Sequence, residues 1–416
     1  MALLLLIAQG SAWAVSDGAS HLFVNLQPSV YQIRVIDLGS GDKYTIGSGF
    51  LVSEQGHIAT NFHVVSAFVH EPDKYQLEYV THKEEVFDVE LLTVDVVHDL
   101  AVLKAQSTSS EYLPLSETEL MNGERIFSMG NPHDLGMTII EGNFNGLLQH
   151  SRYRKILFSG SLNSGMSGGP AINRNGEVIG INVSTGGEQI SFLVPVSHLA
   201  TLLEKARGLE EPEYSKAFLG QSLFEDQERF YSGVLAKPFE SEVLGEVRVA
   251  TDLSDSLKCW GRSVDNESSD QPATYLGALQ HCRSEDRIYL SRGFYLGAFY
   301  YDYEWLTTES LGALEFYHYV SRRYRHNTPG SSRSRENVGD YHCTNSVIEL
   351  SQQSWKISTC LRQYQDYPML FDATLLMVSV GYSDKALIAK IGASGISREN
   401  ATQVFRRFME RIEWIQ

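Results

Sequence analysis

Three short stretches of this chain carry residue types that together could break an amide bond. The last of them is Asn163-Ser164-Gly165-Met166-Ser167-Gly168-Gly169-Pro170. A serine hydroxyl is a weak nucleophile until a base takes its proton. Attack on a carbonyl also builds negative charge on the oxygen, and backbone N–H groups aimed at that oxygen stabilise it. Glycines on both sides of Ser167 permit positive φ and let another backbone come close. The N–H groups of Gly165 and Ser167 are the candidate oxyanion donors. Alone, the stretch could equally be a flexible turn.

Two upstream stretches supply what such a serine lacks. His57-Ile58-Ala59-Thr60-Asn61-Phe62-His63-Val64-Val65 offers His63 as general base, with His57 as the competing candidate. His98-Asp99-Leu100-Ala101-Val102-Leu103 offers Asp99 to hold the imidazole in one tautomer and to stabilise its charged form. Asp95 is the competing carboxylate, but only Asp99 leads directly into the apolar run. His98, His133 and Asp134 read as solvated loop residues. The chain order His, Asp, Ser is that of chymotrypsin-type enzymes, not of subtilisins or α/β-hydrolases.

These blocks resemble HtrA/DegP-type trypsin-like serine proteases. Thr60-Asn61-Phe62-His63-Val64-Val65 is similar to their T-N-x-H-V-V block, Asp99-Leu100-Ala101-Val102-Leu103 to D-[LI]-A-[VL]-L, and Gly165-Met166-Ser167-Gly168-Gly169 to G-N-S-G-G. Met129-Gly130-Asn131-Pro132 and Phe192-Leu193-Val194-Pro195 match supporting stretches in the same order. The resemblance covers residues 30–206 and implies a chymotrypsin-like double β-barrel. It also implies action on unfolded or exported polypeptide through an acyl-enzyme. No PDZ pattern follows, although Ala217-Phe218-Leu219-Gly220 faintly resembles a PDZ opening.

In this fold the substrate pocket flanks the nucleophile. The corresponding walls are Ser161 and Leu162, with Gln189, Ile190 and Ser191 opposite. No acid lies between Phe158 and Ser167, so a trypsin-like grip on Lys or Arg is not expected. The expected preference is for small or medium aliphatic residues.

The elements that must position these groups are short strands. Val30-Tyr31-Gln32-Ile33-Arg34-Val35-Ile36 and Lys155-Ile156-Leu157-Phe158 are separated by turns such as Gly39-Ser40-Gly41-Asp42 and Asn173-Arg174-Asn175-Gly176. Ser197 is the expected cap of a helix closed by Gly208, and 209–214 reads as a linker. The mostly β protease domain is therefore placed at 20–208. An α+β domain of unknown role follows at 215–416, with a helix capped by Thr307 or Thr308 and another capped by Ser397. Arg322-Arg323-Tyr324-Arg325-His326 reads as a solvated helix end, and the tyrosine-rich run from Tyr289 to Trp305 as core before peptide-binding platform.

The four cysteines, Cys259, Cys282, Cys343 and Cys360, all lie in this second part. Two disulfides are expected, and Cys259–Cys282 with Cys343–Cys360 would close the shortest loops. A zinc site with His281 and His342 is the alternative, but no C-x-x-C spacing supports it. No metal or cofactor is expected.

Composition sets the outer limits. A formal net charge of −17 disfavours nucleic acid and anionic lipid as partners. The apolar run Leu3-Leu4-Leu5-Leu6-Ile7-Ala8, followed by Ala12-Trp13-Ala14, reads as a signal peptide cut after Ala14, although no Lys or Arg precedes it. It is too short to span a bilayer. The expected location is periplasmic or extracellular. The leading function is a secreted serine endopeptidase. The rivals are a peptide-gripping, chaperone-like protein on the same fold and a processing protease with one native substrate.

Overall fold

The structure, a computed structural model, describes residues 17–106, 111–264 and 276–415. The expected leader over 1–14 and the Asn-x-Ser sequon at Asn266 lie outside the described residues. After helix α1 (Asp17–Leu26), two closed barrels follow. The first contains β1 (Val30–Asp37), β2 (Lys43–Leu51), β3 (His57–Thr60), β4 (Tyr75–Val80), β5 (Val86–Asp95) and β6 (Leu100–Ala105), with helix α2 (Phe62–His70) after β3. The second contains β7 (Arg125–Gly130), β8 (Thr138–Leu147), β9 (Ile156–Phe158), β10 (Pro170–Ile172), β11 (Val178–Gly187) and β12 (Ile190–Pro195). The orders β1-β2-β3-β6-β5-β4 and β7-β8-β9-β12-β11-β10 are the same topology twice. This is the chymotrypsin-like double barrel.

Helix α3 (Val196–Arg207) packs Leu199, Leu202 and Leu203 into the apolar cluster that includes Phe50, Phe127 and Ile181. Two details differ from expectation. Pro195 holds the cap position and Ser197 sits within the first turn, while Gly208 ends the helix with φ −92°, outside the left-handed region. The following segment is pinned, because Glu213 N donates to Leu92 O at 2.7 Å and Lys205 pairs with Glu213 at 2.7 Å.

The C-terminal part is α+β. Helix α4 (Lys216–Ala236) leads into the hairpin β13 (Glu240–Leu244) and β14 (Val247–Thr251), and β14 also pairs with the terminal β24 (Glu413–Trp414). A seven-stranded sheet follows, built from β15 (Leu257–Val264), β16 (Leu276–Ser284), β19 (Phe299–Thr307), β20 (His342–Leu350), β21 (Gln353–Gln363), β22 (Phe371–Val380) and β23 (Lys385–Ile396). Its order is β15-β16-β19-β23-β22-β21-β20. Helix α5 (Ala313–Arg323) and helix α6 (Arg398–Glu410) pack against it through Phe316 and Val320, and through Val404, Phe405 and Phe408. Ser397 caps α6 by accepting from Asn400 N at 3.2 Å. Gly312, not Thr307 or Thr308, holds the cap position of α5, and its N–H is met by Glu315 Oε2 at 3.1 Å.

Both outer strand pairs of the sheet are stapled. Cys259 bonds Cys282 across β15 and β16, and Cys343 bonds Cys360 across β20 and β21. With all four sulfurs in disulfides, no thiolate remains for the zinc alternative. The basic run at the end of α5 is solvated only in part: Arg322 and Arg325 are exposed, while Arg323 and His326 are engaged. Arg323 Nε donates to Glu304 at 2.6 Å, and His326 meets Ser358 Oγ at 2.8 Å and Thr374 Oγ1 at 3.0 Å. Two further sequons are unavailable for a glycan in the fold, because Asn182 is fully buried and Asn400 is 6% exposed. Among the described residues, no helix is long and apolar enough to cross a membrane.

The remaining hairpin, β17 (Ile288–Ser291) and β18 (Phe294–Leu296), leaves the sheet and docks on the first barrel. Ile288, Leu290, Phe294 and Leu296 share one apolar cluster with Val64, Val65 and Val69 of α2. At about 1.5–3 kcal/mol for each buried side chain of this size, four of them hold the hairpin as part of that barrel's core.

Candidate active site

His63 is the second residue of α2, which begins directly after β3. Asn61 takes the cap position, but its amide donates to Asp99 O at 2.8 Å instead of capping the helix. Asp99 stands in the turn between β5 and β6 with φ +59°, a left-handed conformation uncommon for a non-glycine residue. That twist aims both carboxylate oxygens at one partner. Oδ1 accepts from His63 N at 2.8 Å, and Oδ2 pairs with His63 Nδ1 at 2.6 Å. With Nδ1–H committed to Asp99, the lone pair of Nε2 is left for a proton. Burial alone would lower the His63 pKa, but the charge and hydrogen bond of Asp99 outweigh it and raise it above the ordinary 6.5.

Ser167 sits in the turn before β10, and its carbonyl accepts from Ser48 N at 2.7 Å, tying the turn to the first barrel. The two candidate oxyanion groups are oriented by the other ends of their own peptide planes. In a trans peptide, N–H and C=O point to opposite sides. Ser164 O accepts from His133 N at 2.8 Å, which turns Gly165 N–H the other way. Met166 O accepts from Gly169 N at 3.1 Å and from Asn182 Nδ2 at 3.1 Å, which does the same for Ser167 N–H. Neither N–H donates to a protein acceptor among the described residues. Ser48 Oγ donates to Gly165 O at 2.7 Å and fixes the plane between them.

Glycine is required at two points of this turn. Gly165 has φ +95°, and a Cβ there would lie 2.4 Å from Asn131 O. Gly168 has φ +85°, and its Cβ would lie 2.2 Å from Ser48 O. The Asn131-Pro132 turn thus props this glycine turn through the backbone N–H of His133, whose side chain is exposed as expected. Asp134 is also engaged, accepting from Gln32 Nε2 at 2.6 Å and pairing with Lys43.

Ser167 Oγ donates to Val183 O at 3.5 Å, and no hydrogen bond joins it to His63. The competing histidine, His57, lies elsewhere. It is buried on β3, bonded to Ser53 Oγ at 2.7 Å, and burial lowers its pKa. The expected pocket walls do meet. Leu162 N donates to Ser191 Oγ at 3.1 Å and Gln189 N to Ser161 Oγ at 3.2 Å, with Leu162 and Ser191 buried and Ile190 exposed.

A cavity of about 440 Å³ opens on the other side of the site. His63, Asp99, Val183 and Ser184 line it from the barrels; Glu285, Arg287, Ile288, Tyr289 and Tyr295 line it from the C-terminal part. Sequence reading placed none of these last five at the site. The available signal was the tyrosine-rich run, whose members divide. Tyr301 and Tyr303 are core, while Tyr289 and Tyr295 face the cavity.

A second acid–histidine pair stands beside the first. His98 Nδ1 meets Asp95 Oδ2 at 2.7 Å, and the His98 ring stacks on His198 with centroids 3.7 Å apart. His98 is therefore not a solvated loop residue. Burial would raise the Asp95 pKa, but the hydrogen bond and charge of His98 hold it below the usual carboxylate value. Burial, then the neighbouring His98, pushes His198 down to about 4. A histidine whose folded pKa is lowered stabilises the fold above its unfolded value of about 6.5. That stability is lost as pH falls toward about 4, and the depressed Asp95 adds a further loss through the carboxylate range. Melting temperature should therefore fall across this interval, and less steeply in His198→Gln. An unchanged slope in that variant would contradict the assignment.

Residues 47–181 match the Trypsin-like peptidase domain family. Human serine protease HTRA3 is 30% identical over 186 residues, covering 42% of this chain and 41% of that protein. Serine endoprotease DegS of Escherichia coli K12 is 31% identical over 176 residues, covering 39% of this chain and 48% of that protein. The serine endoprotease of Yersinia pestis, a solved structure, is 28% identical with a TM-score of 0.40, covering 45% of this chain and 66% of that one. The chain spans under half the length of these two curated relatives. Over these residues the chain is similar to HtrA-type trypsin-like serine proteases.

Proposed function

We propose that the chain is an exported serine endopeptidase that hydrolyses unfolded or exported polypeptides through an acyl-enzyme on Ser167. The observation that carries this reading is a convergence. An Asp99-oriented His63 lines the same cleft as Val183, whose carbonyl accepts from the Ser167 hydroxyl, and Gly165 and Ser167 carry two uncommitted N–H groups. In the reaction, His63 Nε2 takes the Ser167 proton as Oγ bonds to the scissile carbonyl carbon. The oxyanion is met by the two N–H groups. His63 then gives its proton to the leaving amine as the C–N bond breaks. Water, activated by the same imidazole, releases the acyl group and restores Ser167.

The substrate has a place to lie. Beyond Asn182, which pairs with Gly168 and Gly169, β11 pairs with β12 on one side only, and its Val183 and Ser184 line the cleft. A peptide added there as an antiparallel strand would gain main-chain hydrogen bonds regardless of sequence. The Ser161–Ser191 walls support the preference for small or medium aliphatic residues. The two disulfides support an oxidising location outside the cytoplasm. Residues 20–208 would form the protease domain and 215–416 the appended domain, joined through 209–214.

A second reading has one observation in its favour. The Ser167 hydroxyl points to Val183 O, not to His63. A resting enzyme completed by substrate would look like this, and catalytic hydrogen bonds are often loose without ligand. A peptide-gripping protein without catalysis would also tolerate it. Incubation with casein, beside a folded globular protein of similar size, separates these. Cleavage of casein, blocked by a serine-directed covalent inhibitor, is the expected result. Binding of casein without any cleavage would overturn the enzymatic reading.

A further inference from the structure

The C-terminal part reaches the reaction centre itself. The Tyr289 ring stands edge-on to the His63 ring, with centroids 5.8 Å apart and planes at 68°. Tyr295, its cross-strand partner, packs against it at 5.5 Å. Glu285 and Arg287 complete the same face of the cavity and are exposed. The hairpin is fixed to both barrels. His70 Nε2 donates to Leu290 O at 2.9 Å on the first, and Asp286 accepts from Arg152 N at 2.7 Å on the second. Lys155 pairs with Asp286 at 3.4 Å. A face held at both ends is a wall, not a mobile lid.

The geometry of an added strand says which substrate residue meets this wall. A peptide antiparallel to β11 runs from the Thr185 end toward Val183, whose carbonyl lies beside Ser167 Oγ. Residues before the scissile bond therefore lie over Val183 and Ser184. Successive side chains of a strand point to opposite sides. When the residue that supplies the attacked carbonyl points to the Ser161–Ser191 walls, the one before it points to His63 and Tyr289.

We propose that the C-terminal domain is a specificity element of the active site, with Tyr289 as the residue that selects a medium or large apolar side chain immediately before the cleaved residue. The selection comes from burial of that side chain against two tyrosine rings. It would weaken binding of substrates with glycine or an acid there. This rests on the endopeptidase reading above.

The test is a peptide series with one cleaved residue and a varied preceding residue, read as kcat and KM. Wild type should favour leucine or phenylalanine over glycine or aspartate by about tenfold or more in kcat/KM. Tyr289→Ala should bring that ratio toward one, mainly through KM, while Tyr289→Phe keeps it. Tyr289→Trp narrows the space and should move the preference toward smaller side chains, which a merely structural role would not produce. Unchanged preference in Tyr289→Ala and Tyr289→Trp, both folded by melting, would overturn the proposal and leave the endopeptidase reading intact. Equal acceleration of all substrates in Tyr289→Ala would overturn it too, because the hairpin would then be a plug. A wild-type protein that cleaves neither casein nor peptides would overturn the endopeptidase reading, and this one with it.

Discussion

Ser167→Ala should lower kcat by about a million-fold while leaving the melting temperature nearly unchanged. The size follows from removal of the group that forms the acyl bond; comparable triads lose about this much, and oxyanion donors and substrate binding supply what remains. The neutrality toward folding follows from the site. The Ser167 side chain makes one long hydrogen bond, 3.5 Å to Val183 O, and the backbone bonds that hold the turn do not use it. Groups that act as a unit are not additive. Ser167→Ala combined with His63→Ala should therefore be no slower than either alone. A double variant slower by the product of the two effects would show that His63 and Ser167 act independently, contrary to the mechanism. The comparison requires activity on one peptide, with melting curves for all four proteins.

Asp99→Asn should lower kcat by about ten thousand-fold, the scale seen when a triad carboxylate becomes an amide. The cause is local. Asp99 accepts from both the backbone N–H and Nδ1 of His63, so the ring proton stays on Nδ1. An amide can present its NH₂ to Nδ1 and move the proton to Nε2, where it blocks proton transfer from Ser167. The same carboxylate raises the His63 pKa. Activity needs neutral His63, so wild-type kcat/KM should rise with pH through a value above the ordinary 6.5. In Asp99→Asn the midpoint should shift downward, since burial then acts without a compensating charge. An unshifted midpoint would mean that another group governs the profile.

The candidate catalytic residues were legible in the sequence because each lies in a short block whose local geometry does the positioning. His63 follows a strand into a helix, Asp99 fills one turn, and Ser167 lies among glycines that nothing with a Cβ could replace. The barrels were legible from short β-branched and aromatic runs between turns, as in Val30–Ile36 before Gly39–Asp42. What escaped depends on distant partners. His98 reads as a loop histidine until His198, on helix α3, stacks against it. Helix α4 was not foreseen because its buried stripe mixes Leu219, Leu223, Tyr231 and Val234 with Asp226 and Gln227. Those polar residues are buried for partners far along the chain. Asp226 pairs with Arg152, and Gln227 accepts from Ser397 N at 3.1 Å and Asn400 Nδ2 at 2.9 Å. Helix α5 begins later than foreseen because Thr308 accepts from Leu311 N at 3.1 Å in the preceding turn. The seven-stranded order, with β23 near its centre, is set by pairings that no local pattern encodes.

The most direct test of the central claim is labelling of the purified protein with a fluorophosphonate, followed by peptide mapping, with unfolded casein present and absent. Adduct confined to Ser167, lost in Ser167→Ala and strongly slowed in His63→Ala, is the predicted result. Adduct on a different residue, or none under either condition while casein is still being cleaved, would contradict it.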